Sequence, residues 1–175
     1  MPILYLHGYA SSPQSIKGVA FHRRWPEIEL LDLRLPSLSA MIDMVLARVA
    51  ERTVIIGSSL GGLTAARVAE RDPRVVAVVL FAPAFQLAWR KLLGAEMNDF
   101  IADVEAIDRG YPDVRVPALV FHGRNDDVVP IEHSRTFARD RANVRLVELD
   151  DGHELVASLP VLLAETERFL AGLDH

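Results

Sequence analysis

Short uninterrupted apolar runs alternate along this chain with longer stretches in which apolar residues recur every three or four positions. The runs Ile3–Leu6, Ile28–Leu33, Thr53–Ile56, Val75–Phe81, Ala118–Phe121 and Val144–Leu149 are rich in Val, Ile and Leu. Continuous rather than alternating hydrophobicity is the mark of parallel strands covered on both faces. Between them, Ser37 is placed to cap a helix over Leu38–Arg52, whose Leu38, Met41, Ile42, Val45, Leu46 and Val49 share one face. Leu60–Asp72 stops before Pro73, and Ile131–Arg139 and Leu159–Leu173 complete the set, the last with Gly172 as a stop signal. The alternation predicts a doubly wound parallel α/β sheet. No repeat, low-complexity tract or linker interrupts it, so residues 1–175 read as a single domain.

One region breaks the rhythm. The stretch from Phe81 to Ala118 is longer than a single crossover needs and carries Phe85, Leu87, Trp89, Leu92, Leu93, Met97, Phe100 and Ile101. Gln86–Leu93 has a helical pattern. Two expectations stand side by side: helices packed on the sheet, or a small lid or wall that would place Phe85 and Trp89 against an apolar substrate.

Composition narrows the possibilities. Half of the residues are hydrophobic (50%) and 25% are charged, as in an ordinary globular protein. A formal charge of −5, with arginines in scattered pairs such as Arg23-Arg24, offers no basic stripe for a nucleic acid. The absence of cysteine removes a thiolate nucleophile, a disulfide framework and a Cys-based zinc site. The start Met-Pro-Ile-Leu-Tyr-Leu-His does not read as a signal peptide, and no apolar run approaches the roughly 20 residues of a membrane span. A cytoplasmic protein is the expectation.

The chemistry starts at Gly57-Ser58-Ser59-Leu60-Gly61, which follows one strand candidate and opens a helix candidate. This is G-x-S-x-G in its strand–turn–helix setting, where a serine sits on a sharp, strained elbow with its hydroxyl exposed. Ser59 is central between Gly57 and Gly61; Ser58 lines the turn. A nucleophilic serine needs an imidazole base, a carboxylate to orient it and donors for the oxyanion. The chain supplies them in the order that accompanies such an elbow: Ser59, then His122-Gly123-Arg124-Asn125-Asp126-Asp127-Val128-Val129-Pro130, then Asp151-Gly152-His153. Each group follows a strand candidate, so all three would reach the carboxyl-end rim of one sheet.

These residues, together with Leu4-Tyr5-Leu6-His7-Gly8-Tyr9-Ala10-Ser11-Ser12-Pro13, resemble the α/β-hydrolase superfamily, most closely its small YqiA-type esterases. The resemblance implies a compact α/β-hydrolase fold with an about six-stranded sheet of order 2-1-3-4-5-6, helices on both faces and minimal or no lid. It also implies oxyanion donors from the backbone N–H groups of Leu60 and Tyr9. Asp126 occupies the carboxylate slot of the family's His-Gly-x-x-Asp-x-x-Val-Pro pattern, which leaves Asp127 as a solvated loop residue.

Among the other near-duplicates, Asp150 and Asp151 read as loop-capping residues. His22, His133 and His175 read as surface residues, and His122 as a buried, hydrogen-bonded one. His7 reads as architectural, which leaves His153 as the base. The expected activity is hydrolysis of small-molecule acyl esters through an acyl-enzyme, with no metal or organic cofactor. A thioesterase, amidase or C–C bond hydrolase would use the same residues, and a silent ligand-binding module would share the scaffold. A nucleotide site is disfavoured, because Gly57–Gly62 fits neither dinucleotide nor P-loop spacing.

Overall fold

The computed structural model describes residues 1–173. Strands β1 (Ile3–Leu6), β2 (Glu29–Leu31), β3 (Thr53–Ser58), β4 (Val75–Phe81), β5 (Ala118–Gly123) and β6 (Val144–Leu149) form one sheet in the order β2-β1-β3-β4-β5-β6. Every neighbouring pair is parallel. The order and the all-parallel register match those expected, and β1 and β3 lie side by side where the winding reverses.

Strand periodicity sorts the core into two layers. Leu4, Leu6, Ile55, Val78, Leu80, Ala118 and Val120 point to one face and pack with helices α2 (Leu38–Leu46), α3 (Leu60–Arg71), α5 (Asn98–Ile107) and α6 (Ile131–Ala138). Ile3, Tyr5, Val54, Ile56, Val79, Phe81 and Phe121 point to the other, under α1 (Ile16–Arg24) and α7 (Leu159–Gly172). The central strands β3 and β5 are buried throughout, which is why their sequences are continuous apolar runs. The edges are managed differently: β2 is only three residues long, and β6 carries Arg145 and Glu148.

The largest departures from the sequence-based limits lie in β2, which is Glu29–Leu31 rather than Ile28–Leu33, in α2 and in the region after Phe81. α2 ends at Leu46 rather than Arg52, because Arg48 and Val49 turn back with hydrogen bonds to carbonyls three residues earlier. Thr53 then clamps the turn, its hydroxyl donating to the Ala50 carbonyl while accepting from the Ala50 N–H. The helix expected over Gln86–Leu93 is a single turn, α4 (Trp89–Leu92). The main helix of this region is α5, which buries Phe100, Ile101 and Val104. These residues join the core layer of α2, against which α5 packs.

Burial sets a testable contrast. Ile56 is fully buried between β1 and β4 neighbours, whereas Ile16 at the start of α1 is 61% exposed. Ile56→Val should lower unfolding stability by about 0.5–1.5 kcal/mol. Ile16→Val should stay within about 0.5 kcal/mol of the parent. Urea unfolding of both variants checks the difference.

Candidate active site

β3 runs into α3 through Ser59, whose backbone adopts φ 53° and ψ −114°. A non-glycine residue in this region carries strain of about 1–3 kcal/mol and persists only where its surroundings enforce it. The Ser59 N–H donates to the Phe81 carbonyl (2.8 Å), and its own carbonyl accepts from Gly62, Leu63 and Ala84 at 2.9, 3.1 and 3.0 Å. The flanking glycines serve close approach rather than unusual dihedrals, since none has positive φ. A Cβ on Gly57 would lie 2.2 Å from the Gly61 carbonyl oxygen, and one on Gly61 would lie 2.3 Å from that of Leu6.

Ser59 occupies the N-cap position of α3, where a serine hydroxyl normally accepts from the first-turn amides. Here it makes no capping bond. It lies instead 3.1 Å from His153 Nε2. His153 Nδ1 is 2.8 Å from Asp126 Oδ2. With the carboxylate accepting, Nδ1 carries the proton, and Nε2 is left to accept from the serine hydroxyl.

The carboxylate is locked in turn. Asp126 Oδ1 accepts from the Val128 and Val129 N–H groups at 2.9 and 2.8 Å, and His122 Nε2 lies 3.1 Å from Oδ2. Burial by itself would raise the Asp126 pKa. The hydrogen bonds from His122, His153 and the Val129 amide outweigh it and hold the carboxyl well below the ordinary carboxylate range.

The histidine loop is pinned from several sides. Asp151 accepts from the Gly152 and Ser158 amides, and Leu155, at φ 55°, is buried in the α1/α7 layer. Lys17 Nζ donates to the Glu154 carbonyl (2.5 Å). Asp150 accepts from the Asn125 side chain and ties this loop to the Asp126 loop.

Ser59, Asp126 and His153 thus meet at the rim expected for them. The remaining histidines sort as follows. His7 is buried, accepting from the Leu33 amide at Nε2 and donating from Nδ1 to the Gly8 carbonyl. His122 is buried, with Nδ1 2.7 Å from Ser134 Oγ. His22 is exposed. His133, expected at the surface, is instead half-buried, with Nδ1 2.5 Å from the Phe85 carbonyl oxygen. His175 lies outside the described residues. Asp127 is exposed.

A cleft of about 250 Å³ opens over Ser59 and His153. Trp89 lines it as expected, together with Leu87, Leu92 and Val128. Phe85 does not. It is fully buried beneath the cleft, its ring 4.6 Å from Phe137 and 5.9 Å from Tyr111, so its role is core packing. Of the two, then, Trp89 lines the cleft and Phe85 packs in the core.

The wall is held by a group that the sequence pattern did not single out. Gln86, at φ 53°, donates from its amide N–H to Asp108 Oδ2 (2.6 Å) and from Nε2 to the Asp108 carbonyl (2.8 Å). Arg67 pairs with the same carboxylate at 3.3 Å.

Among the described residues no cluster of His, Cys, Asp or Glu has the makings of a metal site, and no helix is long and apolar enough to cross a membrane.

The uncharacterised protein family UPF0227 matches residues 2–164. The chain belongs to this family. No curated protein matches it significantly. Solved structures agree on the fold. Alpha/beta hydrolase domain-containing protein 10 from mouse superposes with a TM-score of 0.84 at 20% identity, covering 98% of this chain and 90% of the other. Est1E from Butyrivibrio proteoclasticus gives 0.79 at 19% identity over 98% and 88%. An esterase of Pyrococcus furiosus gives 0.72 at 18% identity over 97% and 80%. The UPF0227 chain has the α/β-hydrolase fold that its motifs implied.

Two outcomes follow from this geometry. Gly61→Ala should destabilise the protein by about 1–3 kcal/mol through forced overpacking. Gly152→Ala, where an added Cβ meets nothing within 4 Å, should cost far less; thermal melting compares them. Asp126 has a depressed folded-state pKa, so its stabilisation is present above the unfolded carboxyl value and is lost as pH falls through the folded one. Asp126→Asn should therefore be less stable than the parent at neutral pH, with the gap narrowing in acid. Urea midpoints across pH 7 to 3 report it.

Proposed function

We propose that this protein is a serine hydrolase of small-molecule carboxylic esters, with Ser59 as nucleophile, His153 as general base and Asp126 as its orienting carboxylate. The observation that carries the reading is the single imidazole bridging Ser59 Oγ at 3.1 Å and Asp126 Oδ2 at 2.8 Å. Both distances are within the reach that proton transfer requires.

In this reading Ser59 Oγ attacks the ester carbonyl as His153 Nε2 takes its proton. A tetrahedral oxyanion forms, and collapse expels the alcohol, which receives that proton from His153. Water, deprotonated at the same nitrogen, then releases the acid and frees Ser59. Asp126 stays ionised throughout, holding the imidazole tautomer and stabilising the imidazolium.

The oxyanion falls to the backbone N–H groups of Leu60 and Tyr9. Neither donates to a backbone carbonyl among the described residues. The turn carrying Tyr9 also approaches the nucleophile closely: a Cβ on Gly8 would stand 3.2 Å from Ser59 Cβ. Preorganised donors of this kind account for about 10²–10³ of turnover each.

The strain at Ser59 favours catalysis over a silent binding scaffold, since a merely structural turn has no use for a serine held off its cap. That a structural neighbour from Pyrococcus furiosus is an esterase points the same way. Thioesters and amides present the same carbonyl to the same residues, so esters are the first substrates to test.

Ser59→Ala and His153→Ala should each lower turnover of a short-chain nitrophenyl ester by roughly 10⁴–10⁶-fold. Ser59→Ala should also abolish labelling by a fluorophosphonate probe. Undiminished labelling of a folded Ser59→Ala variant would refute the assignment.

A further inference from the structure

The two ends of the cleft are chemically unlike. The side formed by the α2–α6 layer presents Leu87 and Trp89, and the exposed Leu92 and Val128 also line the cleft. The end formed by β1 and α1 presents Tyr5, Ser15 and Lys17. Ser59 and His153 line the same cleft.

Lys17 is 5% exposed, an unusual state for an ammonium group. Its three N–H donors have one close partner, the neutral Glu154 carbonyl. The nearest carboxylate oxygen, on Glu154, is 3.9 Å away on a side chain that is 80% exposed and well solvated. Burial lowers the Lys17 pKa, and Glu154 and Asp151 draw it back upward. The buried Tyr5 hydroxyl has no partner at full hydrogen-bond geometry among the described residues, Ser15 being the polar side chain beside it. Ser15 Oγ accepts from the Gly18 amide, which leaves its own proton free to donate. Buried donors left unpaired are costly, and the under-used Lys17 ammonium and the Tyr5 hydroxyl, with the half-buried Ser15 beside them, line the cleft that holds the nucleophile.

We propose that Lys17, Tyr5 and Ser15 form a carboxylate subsite, making the preferred substrates esters that carry a free carboxylate on the half of the molecule remote from the apolar wall. The proposal rests on the ester-hydrolase reading of Ser59. The substrate carboxylate takes a charge-assisted hydrogen bond from Lys17 and a second from Tyr5 or Ser15, while the apolar half lies against Trp89 and Leu87.

The test uses two matched pairs, because either half of the ester can face Lys17. One pair is 3-carboxyphenyl butanoate and its neutral 3-carbamoylphenyl counterpart; the other is monophenyl glutarate and phenyl glutaramate. The readout is the acid-to-amide ratio of kcat/KM within each pair. In at least one pair the parent should prefer the acid by about tenfold or more, the usual scale of a hydrogen bond to a charged group. Lys17→Met should bring that ratio to about one, chiefly through KM, as expected when binding rather than chemistry is lost.

Tyr5→Phe removes one hydroxyl without changing the packing. It should move the ratio in the same direction by a smaller factor, and it decides the matter if Lys17→Met does not fold. A parent ratio near one in both pairs overturns the proposal. So does a Lys17→Met protein that slows acid and amide alike, which is the signature of a tether for the His153 loop. Turnover of the amide members separates the two readings: its presence upholds ester hydrolysis whatever the ratio. No turnover of any of the four esters by the folded parent overturns both.

Discussion

The architecture depends on a contact that involves no side chain. The first turn of α3 lies against the end of β1 so closely that a single added Cβ on Gly61 would stand 2.3 Å from the Leu6 carbonyl oxygen and 2.6 Å from that of His7. This approach fixes the spacing between the turn after β1 and the elbow after β3, so the Gly8–Tyr9 backbone lies beside Ser59. It also forces the chain to turn within one residue, which puts Ser59 at φ 53°. Three amides on its carbonyl distribute the resulting strain over α3 and the turn after β4. A serine that would otherwise cap its helix is turned away from that task, and its hydroxyl is free for His153. Close packing, strain and a released hydroxyl are one event seen at three scales.

Because β1 and β3 are neighbours where the winding reverses, the two sides of the cleft come from different layers of the protein. Leu87 and Trp89 extend the α2–α6 core into the site, so their apolar character follows from what they pack on. Tyr5 faces the α1/α7 core, and α1 begins close to it: a Cβ on Gly18 would meet the Pro13 carbonyl oxygen at 2.5 Å and the Tyr5 ring at 3.3 Å. The capping serine and second residue of α1 are thereby brought to the same rim. An asymmetric cleft is thus a product of topology before it is one of specificity.

What could be read from the chain follows the range of the interactions involved. Parallel strands buried on both faces have a local signature, so β1 and β4 were legible to the residue, and edge strand β6 was legible from its Val and Leu content. The elbow was legible for the same reason, its two glycines and serine being neighbours in sequence. α5 was not, because its periodic face is short and follows a 3₁₀ turn at Ala95–Met97; only α2, far away in the sequence, decides that Phe100, Ile101 and Val104 form a helix face. Phe85 and Trp89 are four residues apart and equally apolar, yet one is core and one lines the cleft. The difference arises at Gln86, whose positive φ is held by Asp108 from far along the chain. Lys17 carries no local signal at all: its burial depends on Glu154, 137 residues away.

The carboxylate shows why so few residues are enough to make the site rigid. Asp126 sits on a loop, yet both of its oxygens are engaged: Oδ1 by two successive amides, Oδ2 by His153 and by His122. His122 cannot rotate away, since its Nδ1 faces Ser134 and its Nε2 also reaches the Val129 carbonyl at 2.9 Å. A buried anion with this many donors remains charged, and its desolvation is offset by bonds that also remove its freedom to turn. Oδ2 therefore points at His153 before any substrate arrives. In the proposed mechanism the carboxylate has no proton to accept and no distance to travel. It supplies direction, by keeping the proton on Nδ1 so that Nε2 is always the nitrogen that faces Ser59.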